Sequence, residues 1–144
     1  MLLTSPQFKA SLRIRHPSLG PDEISSRLGL TPHVSWKKGE TRRTPAGSQL
    51  SGQNSDNYWC YKLPADEGSG LNEFLQSVAK TLSPNEDFLI RISDEGGTSE
   101  IYLGIDASNN AGDGIDWPTL HDLSRLRIKL SVEVFAAPQN RSSS

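Results

Sequence analysis

The chain has very little cysteine and no long apolar run. Cys60 is its only cysteine, so no disulfide can form within the chain, and a reducing compartment is favoured over secretion. No stretch approaches the ~18 apolar residues that a membrane-spanning helix needs. The first residues lack the basic flank and apolar segment of a signal peptide. These absences argue against a disulfide-rich secreted domain or a membrane protein, and they predict a soluble cytoplasmic protein.

Neither positive nor negative charge dominates the sequence. The 15 lysines and arginines nearly balance the 17 aspartates and glutamates, and the formal net charge is -2. A protein so close to neutrality has no overall field that draws it to nucleic acid or anionic lipid, so such binding would need a local basic patch. The length of 144 residues suits one domain. We expect that domain to cover residues 1–137, followed by a disordered polar tail at residues 138–144.

The motifs of common enzymes and metal sites are also missing. The sequence has no P-loop, no G-x-G-x-x-G and no G-x-S-x-G. Its three histidines lack zinc spacing, and the acidic loop from Asp106 to Gly114 departs from the EF-hand pattern because Ala111 stands where that pattern has glycine. Cys60 lies within an aromatic strand and is expected to be a packed, inert thiol. We expect no catalytic residue, no metal and no cofactor.

Apolar periodicity predicts the clearest regular elements. Residues Phe8–Arg15 alternate between apolar and polar side chains, which is typical of a half-buried strand. A short helix is predicted from Pro21, with Gly29 as its C-terminal stop. Apolar residues at helical spacing from Leu71 to Leu82 predict an amphipathic helix, with Ser69 as its N-cap.

The remaining chain reads as strands, one more helix and a long loop. Residues 31–57 are rich in proline, glycine and polar residues, so we predict a loop that is extended at first and flexible in its second half. The helix is capped by Asp116 and is expected to face inward through Trp117, Leu120 and Leu123. Strands are predicted at Tyr58–Leu63, Phe88–Ile92, Ile101–Ile105 and Ile128–Val134.

The order of these elements predicts the fold class. The last six elements follow the β-α-β-β-α-β order of ferredoxin-like domains. Within it, Phe88–Ile92 and Ile101–Ile105 would form a hairpin around the turn at residues 94–98. We therefore expect an α+β domain with a ferredoxin-like antiparallel or mixed sheet, helices on one face, and an N-terminal β-α extension.

The densest functional signal is the segment Trp36–Arg43. Its five charged residues sum to plus three, and His33 lies just upstream. Basic side chains beside an aromatic ring can hold phosphate and stack a base, or they can clamp an acidic protein. The alternative is a solvated loop whose tryptophan packs on the core. The candidate binding residues are His33, Trp36, Lys37, Lys38, Arg42 and Arg43.

A second candidate is a basic face of the sheet. The predicted strands place several cations opposite their apolar residues, and an open face of this kind could dock nucleic acid or an acidic partner. The alternative is a solvated face whose cations pair across strands with Glu100 and Glu133. The cations concerned are Arg13, Arg15, Arg91, Arg127 and Lys129.

Several pieces of the sequence resemble a bacterial family catalogued as domain of unknown function 4279. They are the opening strand, the stretch from Asp22 to Pro32, Trp36–Glu40, Tyr58-Trp59 and the closing strand from Leu126 to Phe135. The resemblance implies a bacterial source and a stand-alone cytoplasmic domain. It implies no catalytic residues, because the family has no established activity.

These observations favour a non-enzymatic domain that binds another protein, as an immunity or accessory protein would. A nucleic-acid-binding module that uses the 36–43 segment and the basic sheet face is the alternative. A third possibility is an enzyme of unrecognised type that uses His33 or His121. The chain is expected to be a monomer or a homodimer.

Overall fold

The computed structural model describes residues 7–44, 46–65, 70–106 and 112–135. Within those ranges the chain forms seven strands and four α-helices, with a 3-10 turn at Ser83–Asn85. The strands are β1 Phe8–His16, β2 Val34–Trp36, β3 Thr41–Arg43, β4 Gln49–Gln53, β5 Asn57–Leu63, β6 Thr98–Asp106 and β7 Ile128–Phe135. The helices are α1 Pro21–Leu28, α2 Leu71–Leu82, α3 Glu86–Asp94 and α4 Trp117–Arg125. The expected tail and the expected cap Ser69 lie outside the described residues.

Five of the strands form one mixed sheet in the order β2-β5-β1-β6-β7. Strand β1 is antiparallel to both β5 and β6, β2 is antiparallel to β5, and β7 is parallel to β6. Helix α4 connects the parallel pair, because parallel neighbours need a crossover. The α+β class and the mixed sheet are confirmed, whereas the ferredoxin-like order is not.

One face of this sheet and the inner sides of the helices form the apolar core. Leu12 and Ile14 of β1, Trp59 of β5 and Ile101 of β6 have no exposed surface, and they share the core with apolar residues of all four helices. The indole Nε1 of Trp59 donates a hydrogen bond to Ser25 Oγ of α1 at 2.9 Å. Because successive strand residues point to opposite faces, the polar residues between them lie on the other face, which none of the four described helices covers.

The predicted strand at Phe88–Ile92 is wrong, because these residues belong to helix α3. The buried positions are Phe88, Leu89 and Ile92, which is helical spacing, and Ile90 is only half-buried. Glu86 and Asp87 in the first turn and Arg91 in the last turn complement the helix dipole. The expected hairpin with β6 therefore does not form, and a helix-to-strand connection takes its place.

The segment predicted as a long loop at residues 31–57 contains three short strands. Strand β2 extends the five-stranded sheet along β5, while β3 and β4 pair with each other as a separate two-stranded sheet. Neither β3 nor β4 has a buried residue. The hydrophobic pattern of the sequence therefore does not predict these two strands, because neither face of the hairpin packs on a core.

Helix α4 turns a different face inward from the predicted one. Trp117 is 77% exposed and Leu120 is 47% exposed, so of the three expected inward residues only Leu123 is buried. The buried stripe instead follows Thr119 and Leu123 at i, i+4 spacing.

Cys60 is half-buried and lies on the open face of β5, because its neighbour Trp59 takes the inward position.

Candidate functional site

Residues 37–53 form an arm that stands apart from the apolar core, and we call it the basic arm. Strands β3 and β4 pair antiparallel within it, with Thr41 opposite Gln53 and Arg43 opposite Gln49. Apart from the half-buried Thr44, every described residue of the arm is exposed, so the hairpin is solvated on both of its faces. A two-stranded hairpin of this kind is marginally stable by itself, so its attachment to the domain matters.

Backbone hydrogen bonds and left-handed glycines shape the arm. Gly39 and Gly47 have φ values of 89° and 94°, which L side chains rarely adopt, and they reverse the chain at the base and at the tip. At the base, Gly39 N donates to Asn54 O, and Asn54 N donates to Glu40 O, both at 2.8 Å. These bonds extend the β3–β4 pairing down to the main sheet.

Asn57 fixes the base of the arm to the core. Its Oδ1 accepts a hydrogen bond from Lys38 N at 2.7 Å, and its Nδ2 donates to Leu19 O at 2.9 Å. Asn57 is buried at the start of β5, so the turn that carries Lys37 and Lys38 is held by a side chain with little freedom. Sequence reasoning missed this residue, because an asparagine before a strand looks like any loop residue.

The arm presents four exposed cations. Lys37 and Lys38 lie in the turn at its base, and Arg42 and Arg43 lie on β3. Arg42 Nη1 donates to Ser51 O and Arg43 Nη1 to Gly47 O, both at 3.2 Å, which lays the two guanidinium groups along the hairpin. Each guanidinium has five N–H donors, so most remain available. None of the four cations forms an ion pair with a described residue.

Trp36 and His33 lie on opposite sides of the sheet edge beside the arm. The Trp36 ring stacks on Tyr58 at 4.3 Å between centroids, on the open sheet face. His33 Nδ1 accepts a hydrogen bond from Lys62 N at 3.0 Å, and its ring lies 5.4 Å from that of Tyr61 on the helix side of β5. Of the six predicted binding residues, the structure therefore places Trp36 and the four cations along one segment and separates His33 from them.

A protein-family model described as "Domain of unknown function (DUF4279)" matches residues 6–135. The chain belongs to this family. The match includes the basic arm as well as the five-stranded sheet, and it confirms the resemblance seen in the sequence. No curated protein and no solved structure gave a significant match.

The open sheet face of this DUF4279 domain carries fewer cations than predicted. Arg91 lies on α3 and Arg127 lies in the turn before β7, at a φ of 58°, so neither belongs to the sheet face. Arg13, Arg15 and Lys129 do lie on it. They share the face with aromatic rings, because the Arg13 guanidinium is 4.0 Å from the centre of the Tyr102 ring and the Arg15 guanidinium is 4.5 Å from that of Tyr58.

Arg91 and Arg127 instead hold elements together. Arg91 Nε donates to Glu95 at 2.9 Å, and Glu95 also bonds His16 Nε2 at 2.9 Å. The Arg91 guanidinium and then the His16 ring lower the pKa of the Glu95 carboxyl below its usual value. Arg127 Nη1 lies 3.3 Å from Asp94 Oδ1. The Glu95–His16 contact links the end of α3 to β1, and the Arg127–Asp94 pair links it to the turn before β7, so the two cations have partners without a ligand.

Burial and hydrogen bonds shift two tyrosines of the open face. Burial, and then the hydrogen bond to Cys60, raises the pKa of Tyr58 to about 12. The hydrogen bond from the Tyr102 hydroxyl to Glu133 Oε1, 2.5 Å long, raises the pKa of Tyr102. Both rings are therefore neutral over the physiological range and act as donors and stacking surfaces. The alternation of β5 and β6 was the signal that could have placed them on this face.

The acidic residues around α4 have structural partners. Asp113 Oδ2 accepts from Leu71 N at 2.7 Å, and Asp116 N donates to Asn72 Oδ1 at 2.9 Å, so both residues hold the start of α2. Residues 107–111 of the acidic loop lie outside the described residues. Within the described ranges, no three His, Cys, Asp or Glu side chains are grouped as metal ligands would be. In the same part of the chain, no helix has the length and hydropathy to span a membrane.

Proposed function

We propose that this DUF4279 domain is a binding module that holds an acidic protein partner through the basic arm. One observation carries the proposal: four exposed cations lie on the basic arm, which has no buried residue among those described, and none of these cations forms an ion pair with a described carboxylate. Cations of a merely solvated surface usually alternate with acids. The arm has one acidic residue, Glu40, and none follows from Thr41 to Asn54, in a chain whose net charge is -2.

The geometry of the arm suits recognition of carboxylates. Arg42 and Arg43 are held extended along β3, and a guanidinium can bond a carboxylate through two parallel N–H groups. Val34 beside the base and Leu50 on β4 are 50% and 37% exposed and add apolar contacts. Asn57 anchors the base, so less ordering entropy is lost when a partner binds.

The rings near the arm favour a protein over single-stranded nucleic acid. A base stacks only on an aromatic ring with a free face. The Tyr58 ring is stacked against Trp36 and also contacts the Arg15 guanidinium, and the Tyr102 ring is contacted by Arg13. The open face therefore presents arginine-capped tyrosines instead of a bare stacking platform.

Nucleic acid is the second candidate, because the arm is a narrow basic ribbon with a single acid, Glu40. A β-ribbon of this kind can enter a groove of a duplex and contact phosphates without stacking. Neither role requires the domain to perform a catalytic step. An accessory or immunity protein that blocks a charged surface is one role that fits it.

Charge reversal tests the proposal. The variant R42E/R43E and the control K9E/K80E change net charge equally, but Lys9 and Lys80 are exposed outside the arm. Each protein is used to capture ligands from lysate with and without nuclease. We expect the wild type and the control to retain the same acidic protein, and R42E/R43E to lose it at moderate salt. Equal retention by all three proteins would show that the arm is not the binding surface. Nuclease-sensitive retention with a steep log–log salt dependence would favour nucleic acid.

A further inference from the structure

Strand β7 is one edge of the five-stranded sheet that the described residues form. It pairs with β6 over its full length, from Ser99 opposite Ile128 to Asp106 opposite Phe135, without a register shift. Its other side faces no strand of the described chain. Natural sheets usually blunt such edges with proline, a bulge, a very short strand or charged side chains, and of these β7 has only Lys129 and Glu133 over its eight residues.

Three of the last four residues of β7 are exposed and apolar. Val132, Val134 and Phe135 are 53%, 60% and 47% exposed. Since α4 runs back from the C-terminal end of β6 before β7 begins, its exposed first-turn residues Trp117 and Leu120 lie at the same end of the sheet. Clusters of exposed large apolar side chains mark interaction surfaces in soluble proteins.

The sequence of β7 is complementary to itself when reversed. The strand reads Ile-Lys-Leu-Ser-Val-Glu-Val-Phe. If two copies pair antiparallel about Ser131, Lys129 of each copy lies opposite Glu133 of the other. Leu130 then lies opposite Val132, and Ile128 lies opposite Val134. From Ile128 to Val134, every pair in this register is thus a cation with an anion, an apolar residue with an apolar residue, or serine with serine, while Phe135 lies opposite Arg127.

We propose that β7 pairs with β7 of a second copy of this chain, antiparallel about a two-fold axis at Ser131, to form a homodimer with a continuous ten-stranded sheet. The interface is isologous, as most homodimer interfaces are. Side-chain alternation forbids a shift by one residue, because it would turn the apolar side chains of one copy to the wrong face. A shift of the axis to Leu130 or Val132 keeps the faces matched but removes both Lys129–Glu133 pairs.

The charged side chains of β7 are available for these pairs. Lys129 is exposed and forms no ion pair with a described residue. Glu133 Oε1 accepts a hydrogen bond from the Tyr102 hydroxyl, and the carboxylate has further lone pairs that can accept from an ammonium group. Strand β7 and the basic arm lie at opposite edges of the sheet. The dimer and the proposed binding function can therefore fail independently.

Sedimentation equilibrium with charge-reversed variants tests the dimer. We expect the wild type to dimerise at or below about 100 µM, a concentration that populates even a weak interface. K129E alone places glutamate opposite glutamate twice, and E133K alone places lysine opposite lysine twice. Each variant should weaken dimerisation by about tenfold or more, because like charges directly opposite are unfavourable.

Mixing the two variants gives the decisive control. In a K129E–E133K heterodimer both cross-strand pairs are again of opposite charge, and the double variant K129E/E133K restores them in a homodimer. We expect dimers in both cases, with unfolding midpoints showing that each single variant is folded. A monomeric wild type overturns the proposal. Single variants that dimerise as well as the wild type also overturn it. So does a result in which neither the mixture nor the double variant recovers dimers.

A cross-link checks the register directly. Directly opposite residues of an antiparallel pair have Cβ atoms about 4.5–5.5 Å apart, near the spacing of a disulfide. In a C60S background, S131C should form a covalent dimer on mild oxidation, and the exposed helix variant K80C should not. Efficient cross-linking by K80C with none by S131C would refute pairing about Ser131. Wild-type protein that stays monomeric while β7 binds an unrelated extended peptide would refute self-pairing.

Discussion

Replacing Gly97 by alanine probes the connection that sequence reasoning misassigned. Gly97 links α3 to β6 and passes close to the end of β1. A Cβ atom there would lie 2.6 Å from Arg15 O and 2.9 Å from both His16 Cδ2 and Ile92 Cγ2. None of the three can yield easily. Arg15 O belongs to the central strand, the His16 ring is buried and bonded to Glu95, and Ile92 has no exposed surface.

We expect G97A to lose about 1–3 kcal/mol of unfolding free energy, as overpacked core sites do. For a domain of this size the melting temperature falls by about 3–10 °C. Urea unfolding followed by tryptophan fluorescence measures the loss. Gly114 is the matched control, because a Cβ there meets nothing within 4 Å and its φ is not left-handed. A loss from G97A no larger than that from G114A would show that α3 does not pack on β1 as described.

Three further predictions test the core, the open face and the base of the arm. F74A should cost about 3–5 kcal/mol in urea unfolding, because Phe74 is buried with its ring 5.1 Å from Phe8; a loss below about 1 kcal/mol would remove α2 from the core. Folded Tyr58 holds its proton to about pH 12 against an ordinary pKa of 10.0, so stability should fall as pH rises between these values. Y58F should lack that part of the pH dependence, and identical pH profiles would contradict the assignment. N57A should cost about 1–3 kcal/mol and speed amide exchange at Lys38, since it leaves a buried carbonyl without its donor; unchanged exchange there would show that Asn57 does not anchor the arm.

The elements that sequence reasoning predicted correctly are those with one buried face. Strand β1 alternates cleanly because its apolar residues face the core, and α2 shows helical spacing for the same reason. Gly29, at a φ of 70°, ends α1 as predicted. In each case local sequence preference and tertiary burial give the same pattern, so the sequence pattern is sufficient to predict the element.

The errors have two physical causes. Phe88, Ile90 and Ile92 alternate like a strand, but Phe88, Leu89 and Ile92 also fit a helix, and short apolar runs do not distinguish the two. The β3–β4 hairpin buries nothing, so its sequence carries no apolar period; backbone bonds to Asn54 define it, and these appear only in three dimensions.

The candidate site was predictable in its charges but not in its setting. Lys37, Lys38, Arg42 and Arg43 stand out by local charge density alone. Their support by Asn57 depends on a contact across 19 residues, and the contact between Arg15 and Tyr58 depends on strand pairing. Neither contact can be inferred from the spacing of these residues in the sequence.

Amide hydrogen exchange on the complex with the captured acidic partner tests the central claim most directly. Free and bound wild-type protein are compared peptide by peptide, with R42E/R43E as the matched variant. We predict slower exchange on binding across residues 37–53, where β3 and β4 are solvated in the free protein. R42E/R43E should show no such protection at the same partner concentration. Protection confined to the helices or to β7, with the arm unchanged, would contradict the assignment of the basic arm as the binding surface.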